Sequence, residues 1–275
     1  MKTQNFIIGG KLGDFLHSMF AVKSICRQNG TKANVYLIDF GFSFGGENTR
    51  LELYDILMQQ DYMNSFELLK ECEVDPIQNP HQNSPVRVFN QKLLDEGYVA
   101  LTGYIASPWL YKACWSDLYS FTFDFKIPND YSWISYDKIN PELKGKVLIH
   151  RKDEEWRVNR SFPHDAIIEK YKGNVMFISS SQADYDAFRR PDIPFLKVTT
   201  LEEWFTSINS CLMLVSNLSS PAAMAHSLDK LRIIESPYIV DVNHFIGEEK
   251  FSNNFYWYIN EDLCYDKKPF LSLRK

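Results

Sequence analysis

Short apolar segments alternate with helical patterns at both ends of the chain. The segment Phe6–Ile8 is apolar throughout and is predicted to form a buried strand. From Phe15 onward, apolar residues recur at helical spacing for about three turns, and Asn29-Gly30 is typical of a helix end. Asn34–Phe40 is predicted to form the next strand. This order of strand, glycine-rich turn, helix and strand predicts a βαβ unit with a parallel sheet.

The pattern is less regular between residues 41 and 140. Helical segments are predicted at Leu51–Met58, Phe66–Leu69 and Pro108–Tyr119. Asp75–Pro85 is rich in proline and polar residues and is predicted to be a loop. The order of any strands in this part of the chain does not follow from the pattern.

Strand and helix patterns alternate again after a polar connector at residues 127–146. Strands are predicted at Lys146–His150, Val175–Ser179, Phe195–Val198, Leu212–Ser216 and Leu231–Glu235. Helices are predicted between them at Pro163–Tyr171, Gln182–Phe188, Leu201–Asn209 and Pro221–Leu228, and a last helix at Phe255–Leu263. This alternation is typical of a doubly wound sheet. We therefore expect two α/β domains, residues 1–135 and 136–275, with the ligand site in the cleft between them.

The composition narrows the classes of function. The formal net charge of the 275 residues is −5, so binding to nucleic acid is not expected. The five cysteines are scattered and form no C-x-x-C pair, which favours reduced thiols and a cytoplasmic location. The sequence shows no run of 18 apolar residues and no apolar core of a signal peptide at its start. We therefore expect a cytoplasmic protein without a transmembrane segment.

The turn after the first strand holds the first candidate for chemistry. Its glycines allow close approach of a ligand to the backbone, and the N-terminus of the following helix favours anions. The turn lacks the G-x-G-x-x-G spacing, and only Asp39 stands near the position of a ribose-binding acid, so a nicotinamide cofactor is not favoured. Asp14 lies where the helix begins. It either caps the helix, as aspartate does well, or takes part in catalysis.

A second candidate follows the strand that ends near Ser216. Ser219 and Ser220 place two hydroxyl groups in front of a helix that starts at Pro221, a favourable position for proline. Hydroxyls and backbone N–H groups at a helix N-terminus can hold a phosphate. The alternative is a serine-capped helix that only packs in the core.

The third candidate is the basic segment Ile149–Arg160, which follows the first strand of the second half. Guanidinium groups bind diphosphates through paired N–H donors. Alternatively, the charges of this segment pair locally with Asp153, Glu154 and Glu155. The basic side chains of the segment are His150, Arg151, Lys152, Arg157 and Arg160.

The first two candidates together resemble glycosyltransferase family nine, the heptosyltransferase-like enzymes of GT-B fold. Gly10-Lys11-Leu12-Gly13-Asp14 is similar to the G-x-L-G-D turn of that family. The segment from Val215 to Pro237 is similar to its V-S-x-D-S-G-P-x-H-x-A-A-A-L-G-x-P segment. The positions that match are Val215, Ser216, Ser219, Pro221, Ala225 and Leu228.

Three positions depart from the family pattern. Leu218, Ser220 and Ala223 stand where the family has aspartate, glycine and histidine. His226 follows Ala223 by about one helical turn and is a candidate substitute, the alternative being a packed or exposed helix residue. The His150-Arg151-Lys152-Asp153 segment is also loosely similar to the H-x-R-x-x-D segment of GT-B fucosyltransferases, where the arginine contacts the donor diphosphate.

The resemblance implies an α/β fold of two Rossmann-like, doubly wound domains that face a cleft. It implies an inverting, metal-independent glycosyltransferase that needs no cofactor beyond its nucleotide-sugar co-substrate. The first domain would bind a glycan or other hydroxyl acceptor, with Asp14 as the catalytic base, and the second the nucleotide sugar. The donor-binding residues would be Gly10, Lys11, Gly13, Arg151, Arg157, Ser216, Ser219, Ser220, Pro221 and His226.

Other classes of protein stay possible at this stage. A nucleotide-sugar epimerase of GT-B fold and a non-catalytic nucleotide-sugar-binding protein share the same expected fold. Asp184-Tyr185-Asp186 matches the D-x-D motif that binds a metal in GT-A transferases. It falls in a predicted helix, where residues two positions apart do not face each other, so a metal site is not favoured there.

Overall fold

The computed structural model describes residues 2–39, 47–70, 74–79, 84–88, 95–101, 104, 107–110, 112–129, 131–154, 158–235, 248–252 and 254–258. The chain divides into two compact units, Met1–Ser135 and Tyr136–Lys275. Each unit contains its own parallel β-sheet. None of the helices in the described part is long and apolar enough to cross a membrane.

The first unit is built on a four-stranded sheet with the order β3-β2-β1-β6. All three pairs of neighbouring strands are parallel. A separate antiparallel pair is formed by β4 and β5. The strands are β1 (Thr3–Ile8), β2 (Lys32–Asp39), β3 (Met63–Lys70), β4 (Val74–Asn79), β5 (Ser84–Val88) and β6 (Val99–Ala100), and the helices are α1 (Leu12–Asn29), α2 (Glu47–Met58) and α3 (Trp115–Phe123).

Helix α1 is the central element of this unit. It is buried on most of its faces between Phe15 and Cys26. The Trp133 indole N–H donates to the carbonyl of Leu16 at 2.7 Å, which fixes the following segment against the helix. The helix ends at Gly30, whose φ of 63° is the left-handed conformation that glycine adopts easily.

The second unit is built on a six-stranded sheet with the order β12-β11-β10-β7-β8-β9, and all its neighbouring strands are parallel. Its apolar core lies between the sheet and the helices that cover it. The strands are β7 (Val147–His150), β8 (Val175–Ser179), β9 (Phe195–Lys197), β10 (Met213–Asn217), β11 (Arg232–Glu235) and β12 (Phe255–Tyr258). The α-helices are α4 (His164–Lys170), α5 (Gln182–Phe188), α6 (Leu201–Ser210) and α7 (Ser220–Ser227), and short 3₁₀ helices lie at Pro141–Leu143 and Glu248–Lys250.

The structure confirms the predicted alternation of strands and helices in the second half, and it also confirms the helix at Leu51–Met58. Three predictions in less regular segments were wrong. Phe66–Leu69 is part of strand β3 because it pairs with β2. Asp75–Pro85 is not a loop throughout, since it contributes to the β4–β5 pair.

The helix predicted at Phe255–Leu263 was the third error, because its first four residues form β12 beside β11 and the remaining ones lie outside the described residues. The aromatic segment predicted as one helix at Pro108–Tyr119 is helical only from Trp115 onward. Before Trp115, the described residues form turns.

Each sheet has a point where the connections change direction. In the first unit, β1 lies between β2 and β6, and in the second unit β7 lies between β8 and β10. In open α/β sheets, ligands bind beyond the carboxyl ends of the strands at this point. We therefore expect a ligand site at the residues that follow β1 and β7.

Candidate functional site

The turn after β1 brings Gly10, Lys11 and Asp14 together. The Lys11 backbone N–H donates to Asp14 Oδ2 at 3.1 Å. Asp14 is the third residue of α1 and not the residue before it, so it supports the start of the helix from inside the first turn. The capping role considered from the sequence is therefore present in this form.

Gly10 makes room for this arrangement. Its φ is +100°, and a Cβ at this position would lie 3.0 Å from Asp14 Cβ and 3.1 Å from Asp14 Oδ2. A side chain here would therefore collide with the folded-back carboxylate and strain the backbone. Gly13 lies in the first turn of α1 and is partly exposed, and Lys11 is exposed.

The backbone carbonyl of Asp14 is held by a chain of hydrogen bonds through Ser18 and Tyr119. The Ser18 hydroxyl donates to the Asp14 carbonyl at 2.9 Å and lies 2.8 Å from the Tyr119 hydroxyl. Because Ser18 has a single hydroxyl hydrogen, Tyr119 donates to Ser18. Burial raises the pKa of Tyr119 above its ordinary value, and the charge of Asp14 adds to the rise. The phenol therefore stays protonated and keeps its donor role.

His17 is a further residue close to Asp14. It lies one turn after Asp14 on α1, and its ring stacks on Trp115 with the ring centres 4.7 Å apart and the planes 6° from parallel. His17 is buried. The stacking connects α1 to α3 close to Asp14, and no pattern in the sequence pointed to it.

The second unit gathers hydroxyl groups and an imidazole at the carboxyl ends of β7 and β10. We call His150, Ser216 and Ser219 the switch-point cluster. His150 Nδ1 lies 3.2 Å from the Oγ atoms of both serines, which are themselves 3.2 Å apart. Both hydroxyls also donate to the carbonyl of Asn217. Because each serine has one hydroxyl hydrogen, the imidazole Nδ1–H is the donor that these contacts favour.

The Ser219 side chain does not cap the helix that follows it. Ser219 directly precedes α7, but its hydroxyl makes no capping hydrogen bond to the helix and turns to His150 instead. Ser219 and Ser220 are partly exposed, whereas Ser216 and Pro221 are buried. Ser219 and Ser220 are therefore the more accessible residues of the predicted phosphate cradle, and its phosphate-binding role stays a prediction.

Asn217 fixes the loop that carries the basic side chains. Its side-chain oxygen accepts from the Lys152 backbone N–H at 3.3 Å, and its Nδ2 donates to the Lys152 carbonyl at 2.8 Å. The asparagine itself is fully buried. This two-way contact holds the start of the loop after β7 against the end of β10.

Arg151 forms an ion pair with Glu235, the last residue of β11. Arg151 Nε lies 3.2 Å from both carboxylate oxygens, and Nη2 lies 3.0 Å from Oε1. Among the described residues, the acidic partner of Arg151 is therefore Glu235 and not Asp153 or Glu154. Burial raises the pKa of Glu235, and the Arg151 charge acts against that rise. No pattern in the sequence pointed to Glu235.

His164 lies beside this ion pair. Its Nε2 is 3.5 Å from Glu235 Oε2, and its ring packs against Phe162 and Phe188. Burial, with the charges of Arg151 and Arg190, lowers the pKa of His164 from 6.5 to about 3. The imidazole is therefore neutral at pH 7, and the charge of Glu235 is balanced by Arg151.

Two further residues were predicted to bind the donor. Arg157 lies outside the described residues. His226 is buried near the end of α7, with its Nε2 3.5 Å from Glu248 Oε2. It is seven residues after Ser219, which corresponds to about 10 Å along a helix. This placement favours a packing role, and the donor-binding role of His226 stays a prediction.

The two aspartates of the D-x-D motif lie in helix α5, as predicted. Asp184 accepts a hydrogen bond from the Ser179 hydroxyl at 2.8 Å, and Asp186 accepts one from Gln182 at 2.9 Å. Each carboxylate therefore has its own local contact. In the described part of the chain, no group of three or more His, Cys, Asp or Glu side chains is arranged to hold a metal ion.

Solved bacterial structures share this fold. The E. coli heptosyltransferase WaaC with ADP-2-deoxy-2-fluoro heptose aligns with a TM-score of 0.54 at 10% identity, over 94% of this chain and 93% of that chain. The E. coli ADP-heptose lps heptosyltransferase II gives 0.54 at 13% identity, over 94% and 90%. The glycosyl transferase family 9 protein from Veillonella parvula gives 0.52 at 10% identity, over 86% and 80%. No protein-family model and no curated protein sequence matches the chain.

The chain therefore has the α/β fold of these family nine transferases, which belongs to the GT-B type. The resemblance read from the two turn motifs is confirmed at the level of the fold. The shared fold extends over most of the chain and includes the segments in which the sequence motifs are weak.

Proposed function

We propose that this protein is a glycosyltransferase that moves a sugar from a nucleotide-sugar donor to a hydroxyl group of a glycan or another acceptor. The observation that carries the proposal is the position of the candidate residues within the shared fold. Asp14 follows β1, and Arg151 follows β7, so both lie at the ligand-binding ends of their sheets.

The donor is assigned to the second unit. The guanidinium of Arg151 and the partly exposed hydroxyl of Ser220 are suited to a diphosphate, which accepts charge-assisted hydrogen bonds, and Ser219 lines the same turn. The buried side chains of His150 and Ser216 contact the Ser219 hydroxyl and hold this turn in place. That WaaC was solved with an ADP-sugar analogue supports a nucleotide sugar as the class of donor.

The acceptor is assigned to the first unit. Asp14 takes the proton of the acceptor hydroxyl while the oxygen attacks the anomeric carbon of the donor. The new bond forms between that oxygen and the anomeric carbon, and the bond to the nucleotide diphosphate breaks. A single displacement of this kind inverts the anomeric configuration. General base catalysis is worth roughly 10²–10⁴-fold in rate.

We also propose that transfer proceeds without a divalent metal. The leaving diphosphate carries negative charge, and Arg151 supplies a fixed positive charge at the end of β7. Gly10 leaves room for the folded-back carboxylate of Asp14, and the donor-binding role of Gly10 and Gly13 stays a prediction. These roles are assigned from position and chemistry.

A second candidate function is a protein that binds a nucleotide sugar without transferring it. Leu218 and Ala223 favour this alternative, because the resemblance implies an aspartate and a histidine at these positions. Ala223 is buried and Leu218 is partly exposed, and neither can donate or accept a hydrogen bond through its side chain.

A panel of ADP-, UDP-, GDP- and CMP-sugars in a thermal-shift assay tests the proposal. A donor present at 100 times its Kd stabilises the fold by about 2.7 kcal/mol, which raises the melting temperature measurably. Donors that bind are then offered with glycan acceptors, and release of the nucleotide is measured. Binding without release would support the second candidate. The absence of any shift at millimolar donor would refute both functions.

A further inference from the structure

Glu235 and Arg151 come from strands that are not neighbours in the sheet. Strand β10 separates β7 from β11, so the ion pair crosses the carboxyl end of β10. The contact uses the Nε and Nη2 edge of the guanidinium, a paired geometry that fixes the plane of the group as well as its position. The switch-point cluster lies next to this ion pair, at the carboxyl ends of β7 and β10.

The Glu235 carboxylate is held firmly. It is buried, with a side-chain exposure of 1%. Its Oε1 accepts the backbone N–H of Asn159 at 2.6 Å, and Arg151 Nη2 also lies 3.4 Å from the Asn159 carbonyl. His164 closes the side of Oε2. The carboxylate therefore cannot turn toward solvent without losing several contacts at once.

This geometry leaves one edge of the guanidinium for a ligand. The Nε and Nη2 groups are directed to Glu235 and Asn159, and Nη1 makes no hydrogen bond to the part of the chain that the structure describes. The Arg151 side chain is 17% exposed. We infer that Glu235 positions Arg151 so that Nη1 is presented to the diphosphate of the donor, an inference that rests on the proposed function.

A carboxylate beside an anion site has two opposite effects. Its negative charge weakens the attraction between Arg151 and a phosphate. Its contacts restrict a long side chain, so that less conformational freedom is lost when the anion binds. A change of Glu235 to glutamine removes the charge and weakens the paired contact. If positioning dominates, the variant binds anions more weakly, and if charge dominates, it binds them more tightly.

The experiment is a calorimetric titration with inorganic pyrophosphate, ADP and UDP. We expect Glu235→Gln to bind pyrophosphate about tenfold more weakly than the wild type, which corresponds to the loss of part of one charge-assisted contact. Glu169→Gln is the matched control, because Glu169 makes only an exposed pair with Lys172 on the same unit. Its affinity should be unchanged. Equal or tighter binding by Glu235→Gln would overturn the inference.

A second variant keeps the test valid if Glu235→Gln does not fold. Arg151→Lys retains the positive charge but has no paired N–H edge, so it should also bind pyrophosphate about tenfold more weakly. In the Arg151→Lys background, Glu235→Gln should have little further effect if the glutamate acts through the arginine. Wild-type affinity in Arg151→Lys, or a full additional loss in the double variant, would contradict the positioning role.

The titrations also separate this inference from the proposed function. Tight pyrophosphate and nucleotide binding with the expected variant pattern, but without sugar transfer to any acceptor, would support the inference and remove the transferase function. Wild-type protein that binds neither pyrophosphate nor a nucleotide would overturn the inference and the donor assignment together. Normal transfer by a Glu235→Gln protein with unchanged anion affinity would overturn the inference alone.

Discussion

Replacing Asp14 by asparagine separates the two roles assigned to this carboxylate. In the folded chain, Asp14 Oδ2 accepts the Lys11 N–H at 3.1 Å. An asparagine retains an acceptor oxygen at this position, so the helix start is preserved and the free energy of unfolding should change by about 0.5 kcal/mol or less. Its amide cannot take a proton from an acceptor hydroxyl, so turnover should fall by roughly 10²–10⁴-fold.

Alanine at the same position removes both the hydrogen bond to the Lys11 N–H and the proposed base. The Lys11 N–H then loses its partner in the first turn, and the protein should lose about 0.5–2 kcal/mol of stability. For a domain of this size, each kcal/mol lowers the melting temperature by about 2–4 °C. Turnover should be as low as in Asp14→Asn, because neither side chain is a base.

The assay measures melting temperature, donor affinity and turnover for both variants. Asp117→Asn is the matched control, since Asp117 is also an acid in the first turn of a helix in the same unit. It should keep normal turnover. Donor affinity should be unchanged in all three variants, because the nucleotide is assigned to the second unit. Near-normal turnover in Asp14→Asn would leave Asp14 with a capping role only and refute its assignment as the base.

Three further predictions concern the second unit. Arg151→Ala should weaken donor binding by about 10–100-fold in calorimetry, and affinity equal to that of the wild type would contradict the phosphate assignment. Transfer should persist in EDTA, and complete loss that manganese restores would contradict the metal-free mechanism. The pKa of His164 is about 3 in the folded protein and about 6.5 in the unfolded chain. Between these pH values only the unfolded chain binds the proton, so protonation favours unfolding. Stability should therefore fall by about 2 kcal/mol between pH 7 and 5 in urea titrations, a loss that His164→Gln removes. Glu235 opposes this change, because its pKa is raised and its protonation in the folded state gives the opposite sign. An unchanged pH dependence in His164→Gln would refute the assignment to His164.

The second unit was predictable because its central strands are buried throughout. Every residue of Val147–His150 and Met213–Asn217 is buried, so these strands appear in the sequence as short apolar runs that end in polar residues. In β3, by contrast, Phe66 and Leu69 are buried while Leu68 is exposed. A spacing of three residues fits a short helix equally well. Pairing with β2 decides the conformation, and that contact is not encoded locally.

In the candidate site as well, contacts between residues far apart in the sequence could not be predicted. Asp14, Arg151 and Ser219 could be predicted, because each follows a recognisable apolar strand and stands at or near the start of a helix or loop. Glu235 is the last residue of a recognisable strand, but its partner Arg151 is 84 residues away. Only the strand order β11-β10-β7 brings them together.

The strand order also explains why Glu235, and not an acid of its own segment, is the protein partner of Arg151 among the described residues. Asp153 and Glu154 are close in sequence, yet the loop after β7 is fixed at Lys152 by Asn217, from the end of β10. This contact holds the chain beside Arg151 against β10, and beyond β10 lies β11, which ends in Glu235. Asp153 is exposed, whereas Glu235 is buried and would carry an unbalanced charge without the arginine. Glu235 therefore pairs with Arg151, because an unpaired charge costs more free energy in a buried site than at the surface.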